Sequence, residues 1–216
     1  MSAPPPKIAI VYYSMHCHIA KMAEAIKDGI EGKGGQAMIF RIHETLPQDI
    51  LEKLHATNDL EDPEKPPIAT GETLAEYDAF IFEVPTRYGN MLAQWKTYWD
   101  ATGKLGENGA LAGTYAGVFV STGTPGGGQE MTVANMMSTL VHHGIVFVPL
   151  GYASGLSKLT SFKEIHGGSP WGAGTFTKFD ESRIPSIIEL EIAKVQGGAF
   201  FKTVSLVDFS KPLSSK

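Results

Sequence analysis

The sequence predicts an α/β domain built on a doubly wound, five-stranded parallel sheet with helices on both faces. Short runs of β-branched and aromatic residues alternate along the chain with longer stretches whose apolar residues recur at helical spacing. The short runs are apolar without interruption, which is typical of strands covered on both faces. At 216 residues, the chain is long enough to form one such domain around its own core.

The first strand and helix set the pattern. Residues 8–13 are continuously apolar or aromatic, and from residue 19 onward the apolar spacing becomes helical. Glycines at positions 32, 34 and 35 are expected to end this helix. Its predicted buried face consists of Ile19, Met22, Ala23, Ile26 and Ile30.

Four further strands are predicted, and their alternation with helices favours a doubly wound parallel sheet. These strands are expected at residues 36–42, 78–84, 115–121 and 145–149, with longer helices at 92–102, at 131–143 and from about 185 onward. The last helix has a predicted buried face of Ile187, Leu190, Ala193, Val195 and Phe200.

Two segments interrupt the alternation. Residues 43–76 are polar and rich in proline, and we expect a short helix at 49–55 within a surface loop or subunit contact that is longer than most connections. Residues 151–181 are rich in glycine and are predicted to be irregular. We assign residues 1–6 to a disordered N-terminal arm, 7–203 to the domain and 204–216 to a C-terminal tail.

Composition excludes several classes of function. The formal net charge of −5 is spread along the chain, so no basic face is expected for a nucleic acid. Cys17 is the only cysteine, which rules out an intrachain disulfide and fits a reducing compartment. We expect no signal peptide, because residues 1–7 lack an apolar stretch, and no transmembrane segment, because no run approaches roughly 20 apolar residues. We therefore expect a cytoplasmic protein.

Ligands of an open parallel sheet bind outside the carboxyl ends of its strands. The loops at residues 14–19, 85–90 and 121–128 should meet there, and all three are rich in hydroxyl groups, glycine or accessible backbone. The first loop favours either an anion at a helix N-terminus or an ordinary turn capped by Ser14. Since none of the loops carries a catalytic triad, a carboxylate pair or a metal-ligand cluster, a bound cofactor is expected to supply the chemistry.

Two related folds are excluded by the same loops. A classical dinucleotide-binding domain needs G-x-G-x-x-G after the first strand, whereas residues 14–18 contain no glycine. A phospho-acceptor receiver domain needs an aspartate at the end of the third strand, where this chain has Val84, Pro85 and Thr86.

Four sequence blocks together resemble the WrbA-type flavodoxin-like proteins, in their fungal form. They are Tyr13-Ser14-Met15, Pro85-Thr86-Arg87-Tyr88-Gly89-Asn90-Met91, Ser121-Thr122-Gly123-Thr124 with the Gly-Gly-Gly-Gln-Glu that follows, and His142-His143-Gly144. The resemblance runs from about Lys7 to Lys202. It implies the strand order 2-1-3-4-5, FMN as the bound cofactor, NADH or NADPH as co-substrate and a quinone as substrate. It also implies a homotetramer built as a dimer of dimers, in which neighbouring subunits help to form each site.

By position, the resemblance assigns cofactor contacts to all three loops. The phosphate cradle falls on Ser14, Met15, His16, Cys17, His18 and Ile19, and the ring and ribityl contacts fall on Thr86, Arg87, Tyr88, Gly89 and Asn90. A second wall falls on Ser121, Thr122, Gly123, Thr124, Gly126 and Gly127, and the family's histidine at the edge of the flavin ring maps to His142.

The chain departs from the family at two substrate positions. His16 and Cys17 stand where the family usually has Tyr-Gly, and Gly106 stands where it usually has tryptophan. We therefore predict that His16 and Gly106 belong to the substrate pocket. The leading interpretation is ping-pong reduction of a quinone by NAD(P)H through FMN, and a one-electron carrier or a flavin-poor scaffold remain alternatives. The aromatic stripe of Trp95, Tyr98 and Trp99 is typical of either the core or a surface between subunits, and the predicted tetramer uses it as such a surface.

Overall fold

The computed structural model describes residues 4–14, 18–53, 65–178 and 182–210. The strands are β1 (Ile8–Tyr12), β2 (Ala37–Arg41), β3 (Ala79–Arg87), β4 (Asn90–Met91), β5 (Tyr115–Thr122), β6 (Val146–Phe147) and β7 (Gly174–Phe176). The helices are α1 (His18–Glu31), α2 (Gln48–Lys53), α3 (Gly71–Ala75), α4 (Ala93–Asp100), α5 (Gly103–Glu107), α6 (Gln129–His142), α7 (Leu156–Leu159) and α8 (Ile187–Val204).

The predicted doubly wound sheet is confirmed. Its main path runs β2-β1-β3-β5-β6 with all neighbours parallel, which is the order predicted for the five long apolar runs. The sheet has seven strands rather than five, because β4 pairs antiparallel with β3 and β7 pairs parallel with β5. Both additions are two or three residues long and carry no apolar run of their own, so periodicity could not identify them.

Three connections are more ordered than predicted. β3 continues past residue 84 through Pro85 and Thr86, which the sequence analysis assigned to a loop, because residue 85 still pairs with Ser121 of β5. α3 lies within the predicted loop at 43–76, where Thr70 caps it with a reciprocal bond to Thr73. α7 and β7 lie within the segment 151–181 that was predicted to be irregular.

Each face of the sheet carries its own apolar core. One core packs α3, α4 and α6 against the sheet, and the other packs α1 and α8 against it. The stripe of Trp95, Tyr98 and Trp99 is buried in the first core, where Trp95 has no exposed surface. Of the two alternatives, the core is therefore confirmed and the use of this stripe as a subunit surface is wrong, since both tryptophan rings pack against Phe82 of the chain's own sheet.

The predicted buried face of α1 is confirmed, and that of α8 is partly wrong. All five predicted residues of α1 are buried, whereas Ile187 of α8 is 79% exposed. Instead, α8 buries Glu189 and Gln196, whose side chains bind the segment that carries β7. Gln196 accepts from the backbone N–H of Ala173 at 2.8 Å and donates to the carbonyl of Val118 at 2.9 Å.

Glu189 is the main polar anchor of this segment. Its carboxylate is fully buried and pairs with Arg183 at 2.9 Å. It also accepts from the backbone N–H of Gly167 and from the hydroxyl of Thr175, both at 2.8 Å. Apolar periodicity gives no weight to such a residue, which explains the error in the predicted face. No helix in the described ranges is both long enough and apolar enough to cross a membrane.

Candidate functional site

A tight hairpin at the end of β3 presents an aromatic ring. Arg87 pairs with Asn90, and the two residues between them, Tyr88 and Gly89, have φ angles of 56° and 72°. A two-residue turn with positive φ at both positions matches the right-handed twist of the strands, but a left-handed tyrosine costs about 1–2 kcal/mol. The Tyr88 side chain is fully exposed, so no packing contact offsets this cost. A strained, exposed ring of this kind is typical of a ligand-binding position.

The loop after β5 is held in shape by short-range hydrogen bonds and close packing. The carbonyl of Thr124 accepts from the hydroxyl of Thr122 at 2.9 Å and from the N–H of Gly127 at 3.0 Å. A Cβ atom at Gly127 would lie 2.9 Å from both the Cβ of Thr122 and the Thr124 carbonyl oxygen, which leaves no room for a side chain. Gly128 has a φ of 91° and begins the entry into α6.

The hairpin and this loop touch each other. A Cβ atom at Gly128 would lie 3.2 Å from the Cα of Gly89. The side chain of Asn135 on α6 donates to the carbonyl of Gly89 at 2.6 Å, and the hydroxyl of Thr86 is hydrogen-bonded to that of Thr132. Two of the three predicted loops are therefore brought together around the start of α6.

Several hydrogen-bond donors in these loops are left for a ligand. Within the described parts of the chain, no hydrogen bond uses the backbone N–H of Gly123, Thr124 or Gly126, nor the hydroxyl of Ser14. By contrast, the hydroxyl protons of Ser121 and Thr122 are used inside the protein. Backbone donors beside tightly packed glycines fit a planar, phosphate-bearing cofactor, because such a group needs close approach and neutral donors.

The first loop is only partly described. Met15, His16 and Cys17 lie outside the described residues, and for His18 only its place at the start of α1 is known. Ser14 is half-buried at the end of β1, and Ile19 is buried in the core beneath α1. The predicted roles of residues 15–18 stay predictions.

Glu83, for which no role is predicted from the sequence, connects the residue before the first loop to the start of the third. It is fully buried on β3, where its carboxylate accepts from the N–H of Tyr13 at 3.3 Å and from the hydroxyl of Ser121 at 3.2 Å. Burial raises the pKa of Glu83 well above its usual value, and these two bonds offset the shift only in part. The sequence signal that could have identified Glu83 was a single carboxylate inside an otherwise apolar strand.

A second carboxylate, Glu44, closes the same edge of the sheet. It accepts from the hydroxyl of Tyr13, from the side chain of Gln94 at 2.9 Å and from the N–H of Leu46 at 2.9 Å. Burial acts to raise the pKa of Glu44, but these bonds outweigh it and hold that pKa below its usual value. Burial, followed by the bond to Glu44, raises the pKa of Tyr13, so its hydroxyl stays protonated. Arg87 contributes a smaller opposing effect.

Two predicted site residues lie far from the three loops within one chain. His142 is the last residue of α6, about 20 Å along the helix from Gln129 beside the glycine loop. Its exposed ring donates through Nδ1 to the carbonyl of Ser138 at 2.7 Å. Gly106 lies near the same end, because a Cβ atom placed there would be 3.6 Å from the ring of His143. A single chain does not bring these positions to the loops.

Comparison with known proteins agrees with the geometry of the loops. Residues 6–157 match the model of a family described as NADPH-dependent FMN reductase. The chain belongs to this family. The match includes all three loops together with Gly106 and His142, and it ends before β7 and α8.

Relatives of this FMN reductase family member are similar over almost their whole length. The chain is 56% identical over 202 residues to NAD(P)H quinone oxidoreductase PST3 of Candida albicans, covering 93% of this chain and 98% of that one. It is 55% identical over 200 residues to minor allergen Alt a 7 of Alternaria alternata, covering 93% and 97% of the two chains.

A solved structure supports the fold. The flavodoxin, WrbA-like protein from Agrobacterium tumefaciens superimposes with a TM-score of 0.61 at 20% identity, covering 93% of this chain and 98% of that one. The predicted flavodoxin-like fold is thus confirmed, and the family match together with the quinone oxidoreductase relatives agrees with the predicted resemblance.

Proposed function

We propose that this chain is an FMN-containing NAD(P)H:quinone oxidoreductase. The observation that supports it most is the contact between the Tyr88–Gly89 hairpin and the glycine loop, with an exposed ring on one side and unused backbone N–H groups on the other. The family described as NADPH-dependent FMN reductase and the relatives named NAD(P)H quinone oxidoreductase favour the same activity. Bound FMN supplies two-electron transfer between NAD(P)H and the quinone.

Different residues of the site contact different parts of this cofactor. The segment that begins at Ser14 binds the phosphate of FMN. The unused N–H groups of Gly123, Thr124 and Gly126 donate to polar atoms of the same cofactor. Tyr88 stacks against the ring system, and Thr86 is fixed by its bond to Thr132. Further contacts are assigned to the other predicted site residues, namely Met15, His16, Cys17, His18, Ile19, Arg87, Gly89, Asn90, Ser121, Thr122, Gly127 and His142, with His16 and Gly106 in the substrate pocket.

The nicotinamide and the quinone use one open face of the site in turn. Purified protein is titrated with FMN, and the visible flavin absorbance is followed under anaerobic conditions as NADPH and then a benzoquinone are added. Absorbance should be lost with NADPH and return with the quinone. Steady-state double-reciprocal plots should give parallel lines, whereas intersecting lines with a detectable ternary complex would contradict a shared face.

A matched pair of aromatic variants tests the assigned hairpin. Tyr88→Ala should weaken FMN binding several-fold, since aromatic stacking contributes about 0.5–1.5 kcal/mol beyond area burial. Phe162→Ala is the control, because Phe162 is exposed to the same extent and lies outside the three loops. If neither variant changes FMN affinity, Tyr88 does not contact the cofactor, and if the wild type binds no FMN, the proposed function fails.

We also propose a homotetramer, a dimer of dimers, in which copies complete each other's sites. Met131 and His142 lie eleven residues apart on α6, about three turns, and therefore share its outer side. Met131 is 57% exposed beside the hairpin, and His142 and Val141 are exposed at the other end of the helix. Two antiparallel copies of α6 across a twofold axis would bring His142 of one copy to the glycine loop of the other.

Charge insertion on α6 tests this assembly. Val141→Glu should dissociate the protein in sedimentation velocity, because an isologous interface repeats the added charge on both copies. Leu206→Glu is the control, since Leu206 is 87% exposed beyond the end of α8. A monomeric wild type with full activity would refute both the assembly and the completion of sites between copies.

The cytoplasm is the proposed location. A single cysteine in 216 residues gives no scope for an intrachain disulfide, which fits a reducing compartment. Fractionation of cells that express the tagged chain should recover it with cytoplasmic markers, and recovery in the culture medium would contradict the proposal.

A further inference from the structure

Glu83 is a buried carboxyl group without a counter-charge. It has no exposed surface, and across the described ranges it forms no ion pair with a lysine, arginine or histidine. Its polar partners are two neutral donors, the N–H of Tyr13 and the hydroxyl of Ser121. The phenol of Tyr13 is close enough to feel the charge of Glu83, and it is itself hydrogen-bonded to Glu44 and influenced by Arg87.

An isolated carboxylate in such a place takes up a proton rather than remain charged. A neutral acid keeps both hydrogen bonds. One oxygen accepts from the N–H of Tyr13, and the other oxygen, as a hydroxyl group, is hydrogen-bonded to the hydroxyl of Ser121. The position of these partners matters, since Tyr13 directly precedes the segment that begins at Ser14 and Ser121 begins the glycine loop. Glu83 is therefore a polar link between the residue that precedes the first loop and the residue that begins the third.

We propose that Glu83 is a positioning residue of the FMN site, a neutral carboxylic acid that holds Tyr13, just after β1, at a fixed distance from Ser121, near the end of β5. This inference rests on the proposed function, since it concerns the two loops assigned to FMN. The neutral form favours FMN binding, because a charged carboxylate next to Tyr13 would repel the negatively charged phosphate of the cofactor. The two bonds fix Tyr13 and Ser121 before the cofactor binds, which lowers the entropic cost of binding.

Two substitutions of Glu83 distinguish the effect of its hydrogen bonds on FMN affinity from the effects of its charge and its volume. Glu83→Gln keeps the shape and both bonds without a titratable group, whereas Glu83→Leu keeps most of the volume and removes both bonds. FMN affinity of the apo-protein is measured by quenching of flavin fluorescence, and urea unfolding confirms that each variant folds. The infrared carbonyl band of a protonated carboxylic acid is recorded for apo wild type and for Glu83→Gln, with no cofactor present.

We expect Glu83→Gln to bind FMN within about twofold of wild type and Glu83→Leu to bind about tenfold more weakly, since two hydrogen bonds are lost. The acid band should be present in wild type and absent from Glu83→Gln. Equal affinity in all three proteins, weak binding by Glu83→Gln, or no acid band would each overturn the inference. If Glu83→Leu does not fold, Glu83→Met, which also removes both bonds, replaces it, and unchanged affinity in that variant overturns the inference too.

The outcomes also distinguish this inference from the function on which it rests. A wild type that binds no FMN refutes the proposed function, while the infrared band still reports whether Glu83 holds a proton. A wild type that binds FMN with variants that bind equally well refutes only the role of Glu83.

Discussion

The glycine loop offers a sharp test, because two adjacent glycines have opposite surroundings. A Cβ atom at Gly127 would lie 2.9 Å from the Cβ of Thr122 and from the carbonyl oxygen of Thr124, whereas a Cβ atom at Gly126 would meet nothing within 4 Å. Gly127→Ala must therefore displace the loop, and overpacking of this kind costs about 1–3 kcal/mol. Gly126→Ala should leave stability unchanged or raise it by up to about 1 kcal/mol, because alanine restricts the unfolded chain.

Urea unfolding of the apo-proteins measures this difference directly. A matching fluorescence titration with FMN should show weaker binding by Gly127→Ala, since the displaced loop carries the N–H groups of Thr124 and Gly126. Weaker FMN binding by Gly126→Ala without a loss of stability would indicate direct contact between Gly126 and the cofactor. If Gly127→Ala and Gly126→Ala have the same unfolding free energy, the argument from close packing is refuted.

Three further predictions concern the buried polar groups and the core. Glu189→Ala should lower the unfolding free energy by about 3–5 kcal/mol because it leaves Arg183 without its buried partner, and a loss below 1 kcal/mol would contradict that role. The folded-state pKa of Glu83 is raised, so its contribution to stability is complete below the ordinary pKa of 4.5 and is lost as pH rises toward the folded-state value. The unfolding free energy of wild type relative to Glu83→Gln should thus fall by up to about 1.4 kcal/mol per pH unit in that window, and parallel pH profiles would contradict burial of a protonated acid. On α8, Ile192→Ala should cost about 2–5 kcal/mol in urea unfolding and Ile187→Ala less than about 0.5, and similar costs would contradict the observed face.

The site was predicted in part, and its limits have a physical cause. Loops at the carboxyl ends of parallel strands must share one edge, so hydroxyl- and glycine-rich segments there could be identified without coordinates. The link from Glu83 to Tyr13 and Ser121 spans 70 and 38 residues along the chain, and it depends on strand register. No local pattern encodes such a contact, which is why a carboxylate in an apolar strand received no role.

The sequence by itself determined the elements whose signal is local. The apolar runs indicated parallel strands that are covered on both faces, and the helical spacing indicated the buried face of α1, because burial of a continuous face follows from periodicity alone. Tertiary structure decided the rest: it buried the aromatic stripe around Trp95 in the core and replaced Ile187 with Glu189 on the buried face of α8. It also placed His142 a full helix length from the glycine loop. These outcomes depend on which distant residues meet, and that is fixed by packing and hydrogen bonds between elements, not by the pattern within any one of them.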